Sequence, residues 1–501
     1  MIFVLLPLKT LKLSMLVCQK WKANAESDSR LWKRCIINLN SKTDIQKLKM
    51  IRAEHIENVI LNTREPEEIA ALFKEIVEMP KLRTLNGLVD KNLSHIQPKH
   101  FAEIINKVEV ADWDSNSVLT EDQSNYVMNV MAQETRLKSI KIENKNFFNV
   151  PDNVISLALN NLEKLLLKDE PKNQNIRKSQ ICGIFNTMCK KTKLKTVMLE
   201  NIDISDVESL TLAAALTNIE KVILWKDSEY HMKSDLSLKQ ANDFFSSLQQ
   251  KTDLKTLLLR SSNITSVDPE VLACALNNLE EITLLHNMLT QEQATLFFIR
   301  MSQQSFLQRL SIMNINLSKL DSKSMAKGIS KLKELTMINC SLTSKQISVI
   351  FSVFDKKTLV KLNLASNNLS IIDQEILAKV VINVKEMIID NNELSFEQKR
   401  CILEKCAEQT ELKYLELRDT DLSEMEPQLL AGAINRIEEV TIDGCNLTTV
   451  QIEKILDNYL QEKERKLKNV YFVNENMESV NGKLLAKLKE NFNIVEYDQI
   501  F

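Results

Sequence analysis

Apolar and polar positions recur in a fixed order along most of this chain. Four segments show it most plainly: LKTLLLRSSNIT from Leu254, LEEITLLHNMLT from Leu279, LKELTMINCSLT from Leu332 and LVKLNLASNNLS from Leu359. Each approximates L-x-x-L-x-L-x-x-N/C-x-L. Further matches start near Ile56, Leu82, Ile105, Leu137, Leu162, Leu194, Ile219, Leu307, Val384, Leu412, Ile437, Leu467 and Phe492, about 17 units in all. Within x-L-x-L-x, strict alternation predicts a strand whose leucines share one face. Spacing also alternates: 25 residues from Leu254 to Leu279 and from Leu307 to Leu332, but 28 from Leu279 to Leu307 and 27 from Leu332 to Leu359. Two kinds of unit are therefore stacked in turn.

Each kind carries its own helix-start chemistry. The longer units place Ser or Thr three residues before Gln, at Thr120/Gln123, Ser237/Gln240, Thr290/Gln293, Thr343/Gln346, Ser395/Gln398 and Thr448/Gln451. That spacing predicts a capping box, in which hydroxyl and amide each take a backbone N–H. The shorter units use acidic or amide caps, several followed by proline: Asp268-Pro269, Gln97-Pro98 and Glu426-Pro427, with Asp321 and Asp373 in equivalent places. Apolar runs after the caps (VLACAL at 271–276, LLAGAI at 429–434, ATLFFIRM at 294–301) predict helices of unequal length behind a parallel sheet.

Strand, turn, helix and return at this length resemble the ribonuclease-inhibitor type of leucine-rich repeat over residues 56–501. The expected fold is thus α/β, a solenoid; the resemblance implies a horseshoe with strands on the concave face and helices on the convex face. Asn287, Asn367, Asn392, Cys340 and Cys445 take the ninth motif position, where a buried polar group satisfies backbone groups that the turn leaves open. Those cysteines read as structural. Five tripeptides match the N-glycosylation acceptor, at Asn92, Asn263, Asn316, Asn368 and Asn446, and all fall on the repeat turn, so the match follows from the fold.

The alternation also says what the strands turn away from the core. Met198, Ile223, Trp225, Leu258, Leu285, Met313, Ile338 and Ile388 are expected on the concave face as a target-binding stripe. The competing reading is an ordinary solvated face, broken by residues such as Arg260 and Asp390. Trp113 and Trp225 stand out because tryptophan is enriched in binding hot spots, although each also suits a buried strand end. Insertions at 170–178 and 225–238 lengthen two units and read either as partner contacts or as neutral variation.

The first residues carry a second pattern. IFVLLPLKTLKLSMLVCQKW followed by ESDSRLWK resembles the F-box over residues 1–40, with Leu6, Pro7, Leu11, Val17, Cys18, Trp21 and Trp32 at matched positions. The resemblance implies that these residues dock on a Skp-family adaptor and, through it, a cullin. The chain starts after the module's opening helix, so a missing start is expected. A competing reading makes the segment a cap on the repeat array. A connector is expected at 41–55.

Totals narrow the function classes. The chain has 501 residues, 44% hydrophobic and 26% charged, with net charge −2, which leaves no electrostatic footprint for nucleic acid or an anionic membrane. Lys9 and Lys12 interrupt the only early apolar run, so neither a signal peptide nor a membrane span is expected. Nine scattered cysteines without a CxxC pair fit free thiols in a reducing compartment, cytoplasmic or nuclear. His55, His95, His100, His231 and His286 form no recognisable cluster, and no HExxH, GxSxG or GxxxxGK[ST] occurs. No catalytic residue, metal site or cofactor is expected. The expectation is the substrate-recognition subunit of a Skp-cullin-F-box ubiquitin ligase, serving ubiquitin-dependent degradation of a protein target. The alternative is a stand-alone leucine-rich-repeat scaffold or inhibitor.

Overall fold

The alternation of leucines decides which way each strand faces. In Thr256–Arg260, Leu257 and Leu259 are fully buried while Thr256, Leu258 and Arg260 stay partly exposed. The same in-and-out pattern recurs in Glu281–Leu285, Arg309–Met313, Glu334–Ile338 and Glu439–Asp443. Each such leucine contributes roughly 2 kcal/mol by burial, which leaves a one-residue slip no stable alternative.

The computed structural model describes residues 36–40, 56–484 (apart from 90, 112–116, 134, 143–148, 170–175, 191, 227–235, 251, 263, 304, 355–358, 409–410, 462–465, 476 and 483) and 493–497. The chain divides into two units, Met1–Ser247 with Thr252–Leu254, and Leu248–Lys251 with Lys255–Phe501. The expected connector at 41–55 lies outside the described residues, as do the expected F-box positions.

The first unit is an α/β repeat solenoid. Its strands Ile36–Leu39, Asn58–Leu61, Thr84–Asn86, Val110–Ala111, Ser139–Ile142, Lys164–Lys168, Thr196–Glu200 and Lys221–Trp225 each pair parallel with the next. Among the described residues the sheet thus starts at Ile36, ahead of the first repeat match at Ile56. One repeat start also moves: Ile105 is buried inside the helix Pro98–Lys107, and Val108, fully buried just before Val110–Ala111, takes the leading apolar position. Charges of alternating sign precede successive strands and pair across them, Arg83 lying 3.7 Å from Glu57 and 2.6 Å from Glu109, with Lys138 3.0 Å from Glu109.

The second unit repeats the architecture more regularly. Thr256–Arg260, Glu281–Leu285, Arg309–Met313, Glu334–Ile338, Lys361–Asn363, Glu386–Ile388, Tyr414–Arg418, Glu439–Asp443, Asn469–Val473 and Asn493–Tyr497 form a parallel series in chain order. Helices of 8 to 10 residues (Pro269–Asn277, Ser322–Ile329, Gln374–Asn383, Pro427–Ile434) alternate with helices of 11 to 13 (Gln291–Gln303, Ser344–Phe354, Phe396–Glu408, Thr449–Gln461). The longer ones bring the largest core side chains, Phe297, Phe298, Phe351 and Phe354 among them.

All six expected capping boxes form. In each, the Gln side-chain oxygen accepts from the Ser or Thr backbone N–H, and the hydroxyl accepts from the Gln N–H. Asp268, Asp321 and Asp373 cap the shorter helices as expected. Gln97 and Glu426 do not: their side chains make no capping bond, and the proline after each supplies a first helical residue that needs no N–H partner.

In the second unit a left-handed residue follows the strand segment of each repeat from Thr256–Arg260 to Asn469–Val473. Ser261, His286, Asn314, Asn339, Ser366, Asn391, Asp419 and Asn474 all have positive φ, and Gly444 takes the same place at +61°. Asn, Asp and Gly tolerate that conformation best, which explains their frequency here. From Ser261 to Gly444 their N–H groups donate onward: His286 to the Met313 carbonyl at 3.0 Å, Asn314 to Ile338 at 2.9 Å, Asn339 to Ala365 at 3.0 Å.

Buried Asn and Cys follow at the next position. Asn367 donates through Nδ2 to the carbonyls of Met337, Leu364 and Ala365, while its Oδ1 accepts from the Cys340 N–H at 3.0 Å. Asn392 does the same one repeat later, and Asn287, three repeats earlier, donates to two carbonyls and accepts from the Ser262 N–H. Cys340 and Cys445 replace only the donor half, each thiol reaching two carbonyls. Burial pushes both thiols up to about 12, which fits the structural reading. The sequon residues Asn92, Asn316 and Asn368 also sit on turns, each accepting from the N–H and hydroxyl of the serine two residues on.

Candidate protein-binding face

Strand residues that do not enter the core form the open face of each sheet, and the pairing register sorts them into rows. In the first unit Leu166, Met198 and Ile223 are register partners on successive strands, an apolar row of three. Trp225 lies in the next row beside Glu200, partly exposed. Its carbonyl accepts from the Asn201 N–H at 2.8 Å. Trp113 and the inserted residues 170–175 and 227–235 are outside the described residues.

In the second unit the expected stripe separates into two rows. Leu285, Met313 and Ile338 are direct register partners in the last row of their strands, each partly exposed. Leu258 belongs to the middle row, where its neighbour is Thr283, followed by Ser311 and Thr336. Ile388 also lies in the middle row, between Asn363 and Glu416, and is 8% exposed. Apolar contact is therefore continuous over three strands and no further. Beside this row the side chains of the left-handed residues form a short polar ladder: Asn339 Nδ2 donates to Asn314 Oδ1 at 2.7 Å, and Asn314 Nδ2 lies 3.2 Å from His286 Nε2.

Farther along the second unit the same face turns acidic. Arg418 is 2.6 Å from Glu416, 3.7 Å from Asp443 and 3.9 Å from Asp390 through Nε. Asp390 Oδ1 accepts from the Arg418 backbone N–H at 3.0 Å. Its burial, reinforced by the neighbouring Glu416 charge, pushes the Asp390 carboxyl up to about 7. Tyr414 donates its hydroxyl to Glu416 at 2.7 Å, and burial lifts that phenol above its ordinary range. Reading the strands only for apolar residues passes over this cluster. Its signal was present in the same x-L-x-L-x frame, as acids and an arginine at the positions that leave the core.

Among the described residues, no group of three or more His, Cys, Asp or Glu side chains is placed to hold a metal ion. Among those residues, too, no helix is long and apolar enough to cross a membrane. Leu6, Pro7, Leu11, Val17, Cys18, Trp21 and Trp32, the expected adaptor contacts, lie outside the described residues. Compared with known proteins, the chain matches no family model and no curated sequence.

Proposed function

We propose that this chain is the target-recognition subunit of a Skp-cullin-F-box type ubiquitin ligase. The supporting observation is the pairing of two features: the F-box-like series from Ile2 to Trp32 and a repeat solenoid that leaves a long sheet face uncovered. In this reading the first segment docks on a Skp-family adaptor, and the repeats, of the ribonuclease-inhibitor-like leucine-rich kind, hold a protein target. The chain performs no chemistry. Its contribution is proximity, raising the effective concentration of target lysines near the transferring enzyme. A cytoplasmic or nuclear compartment, where adaptor and cullin reside, is part of the proposal.

Co-purification tests it. Full-length chain expressed with tagged adaptor and cullin is expected to be retained with both, and Trp21→Ala with Trp32→Ala is expected to release them. Capture of a target with neither adaptor nor cullin supports a stand-alone scaffold instead.

A further inference from the structure

We infer that the open face of the second unit takes a polypeptide segment in which an apolar run lies close to arginine or lysine side chains. This names the class of target and rests on the reading of that face as the target-binding surface.

Two halves of one face carry the argument. The first is the row Leu285, Met313 and Ile338, joined in register and roughly 10 Å long at the usual strand spacing. The second is the acidic half. There Asp390, Glu416 and Asp443 surround Arg418, within 3.9 Å at most. One guanidinium faces all three, and Asp390, pushed up to about 7 by its burial, carries only part of a charge near neutral pH. Glu386 and Glu439, at the starts of the neighbouring strands, add two more negative charges, against Lys361 on the strand before. The lysines at the leading edge offset only part of this, because Lys413 and Lys468 both pair with Glu438, at 3.7 and 2.5 Å, and so leave a single positive charge against the carboxylates.

Charge complementarity then selects the occupant. An excess of carboxylates repels phosphate-bearing partners and attracts cations. A bare cation would leave the apolar row without a role. A polypeptide that carries both kinds of side chain uses the whole face. The strand ending at Ile338 lies three strands before the one bearing Arg418, roughly 14 Å at ordinary spacing. An extended segment spans that in about four residues, and a helical one in about nine or ten. The expected motif is therefore an apolar run and a basic cluster separated by one of those two distances.

Fluorescence anisotropy on the full-length chain tests this with three labelled peptides. One carries Leu-Val-Leu, a four-residue Gly/Ser spacer and Arg-Lys-Arg; the second replaces the basic cluster with Glu-Asp-Glu; the third replaces the apolar run with Ser-Gly-Ser. The first is expected to bind roughly tenfold more tightly than either other peptide, and to weaken about as much on Glu416→Gln with Asp443→Asn. Its affinity is also expected to fall between about 50 and 300 mM salt, a readout that needs no variant. Glu292→Gln, on the helix Gln291–Gln303, is the control expected to leave binding unchanged. Equal binding of the basic and acidic peptides, absence of binding by the first both with this spacer and with a helix-forming spacer of about nine residues, or indifference to salt overturns the inference. Adaptor retention does not use this face, so a chain that keeps its adaptor but ignores the basic peptide refutes the target class alone. A chain that binds the peptide but no adaptor refutes the ligase reading alone.

Discussion

The side-chain amide of Gln293 reaches back into the preceding repeat and donates to the carbonyl of Ile264 at 2.8 Å. It donates to the Val267 carbonyl at 2.8 Å as well, while its oxygen accepts from the Thr290 N–H. One buried residue thus starts its own helix and ties down the turn before it. The arrangement recurs at Gln123, Gln240, Gln346, Gln398 and Gln451, each 2% exposed or less.

Gln293→Ala should therefore cost far more than a capping residue usually does. It strands the Val267 carbonyl and the Thr290 N–H and leaves the Ile264 carbonyl with only the Val267 N–H, for an expected loss of about 2–4 kcal/mol. Denaturant unfolding monitored by circular dichroism checks this, with exposed Gln291→Ala as the comparison expected to change little. Equal stability of the two variants would contradict the clamp.

The Asn367–Cys340 contact predicts a second asymmetry. Asn367 supplies both a donor and an acceptor to its neighbours, whereas Cys340 supplies only a donor. Asn367→Ala is expected to lose about 2–3 kcal/mol, and Cys340→Ala about 1 kcal/mol. The ratio, read from the same unfolding experiment, separates a polar ladder from simple loss of packing volume.

Thiol labelling provides a third check. Cys340, Cys406 and Cys445 are buried, and burial pushes each up to about 12, so the thiolate that reacts is scarce. Iodoacetamide followed by peptide mass spectrometry should leave these three unmodified in the folded chain and modify them after denaturation. The partly exposed Cys189 and Cys274 should be labelled without denaturation.

The acidic half of the second unit predicts a pH effect of defined sign. Burial, then the charge of Glu416, raises the Asp390 carboxyl from 3.8 to about 7, with Arg418 and Asp419 also facing it. Between those values the folded chain holds a proton that the unfolded chain has lost, so this group's contribution to stability falls as pH rises through the window. Asp390→Asn keeps an oxygen for the Arg418 N–H and removes the titration. Its melting temperature should exceed that of the parent at about pH 8, and the gap should close toward about pH 4–5. A gap independent of pH would show that Asp390 does not titrate in this range.

How much of this was legible in the sequence follows from how each feature is encoded. Leucine alternation and paired helix caps are local, so their period predicted the α/β solenoid, the two unit types and the six capping boxes. The frame falls on Ile105, one turn early, because IINKVEV offers several apolar residues to it, and only packing decides that Val108 leads the strand. The second role of Gln293 was not legible, since its carbonyl partners lie 26 and 29 residues away. Register had the same effect on the open face. Leu258 and Leu285 both leave the core, but only pairing shows that they stand in different rows. The cluster around Arg418 gathers residues from Asp390 to Asp443, and no local pattern marks that convergence.

The proposal as a whole is tested most directly by quantitative affinity purification of the full-length chain, its Trp21→Ala/Trp32→Ala variant and its Glu416→Gln/Asp443→Asn variant from the same cells. The account predicts that the parent retains adaptor, cullin and target; that the tryptophan variant loses adaptor and cullin but keeps the target; and that the open-face variant keeps adaptor and cullin but loses the target. Absence of adaptor and cullin from the parent, or their retention by the tryptophan variant, would contradict it.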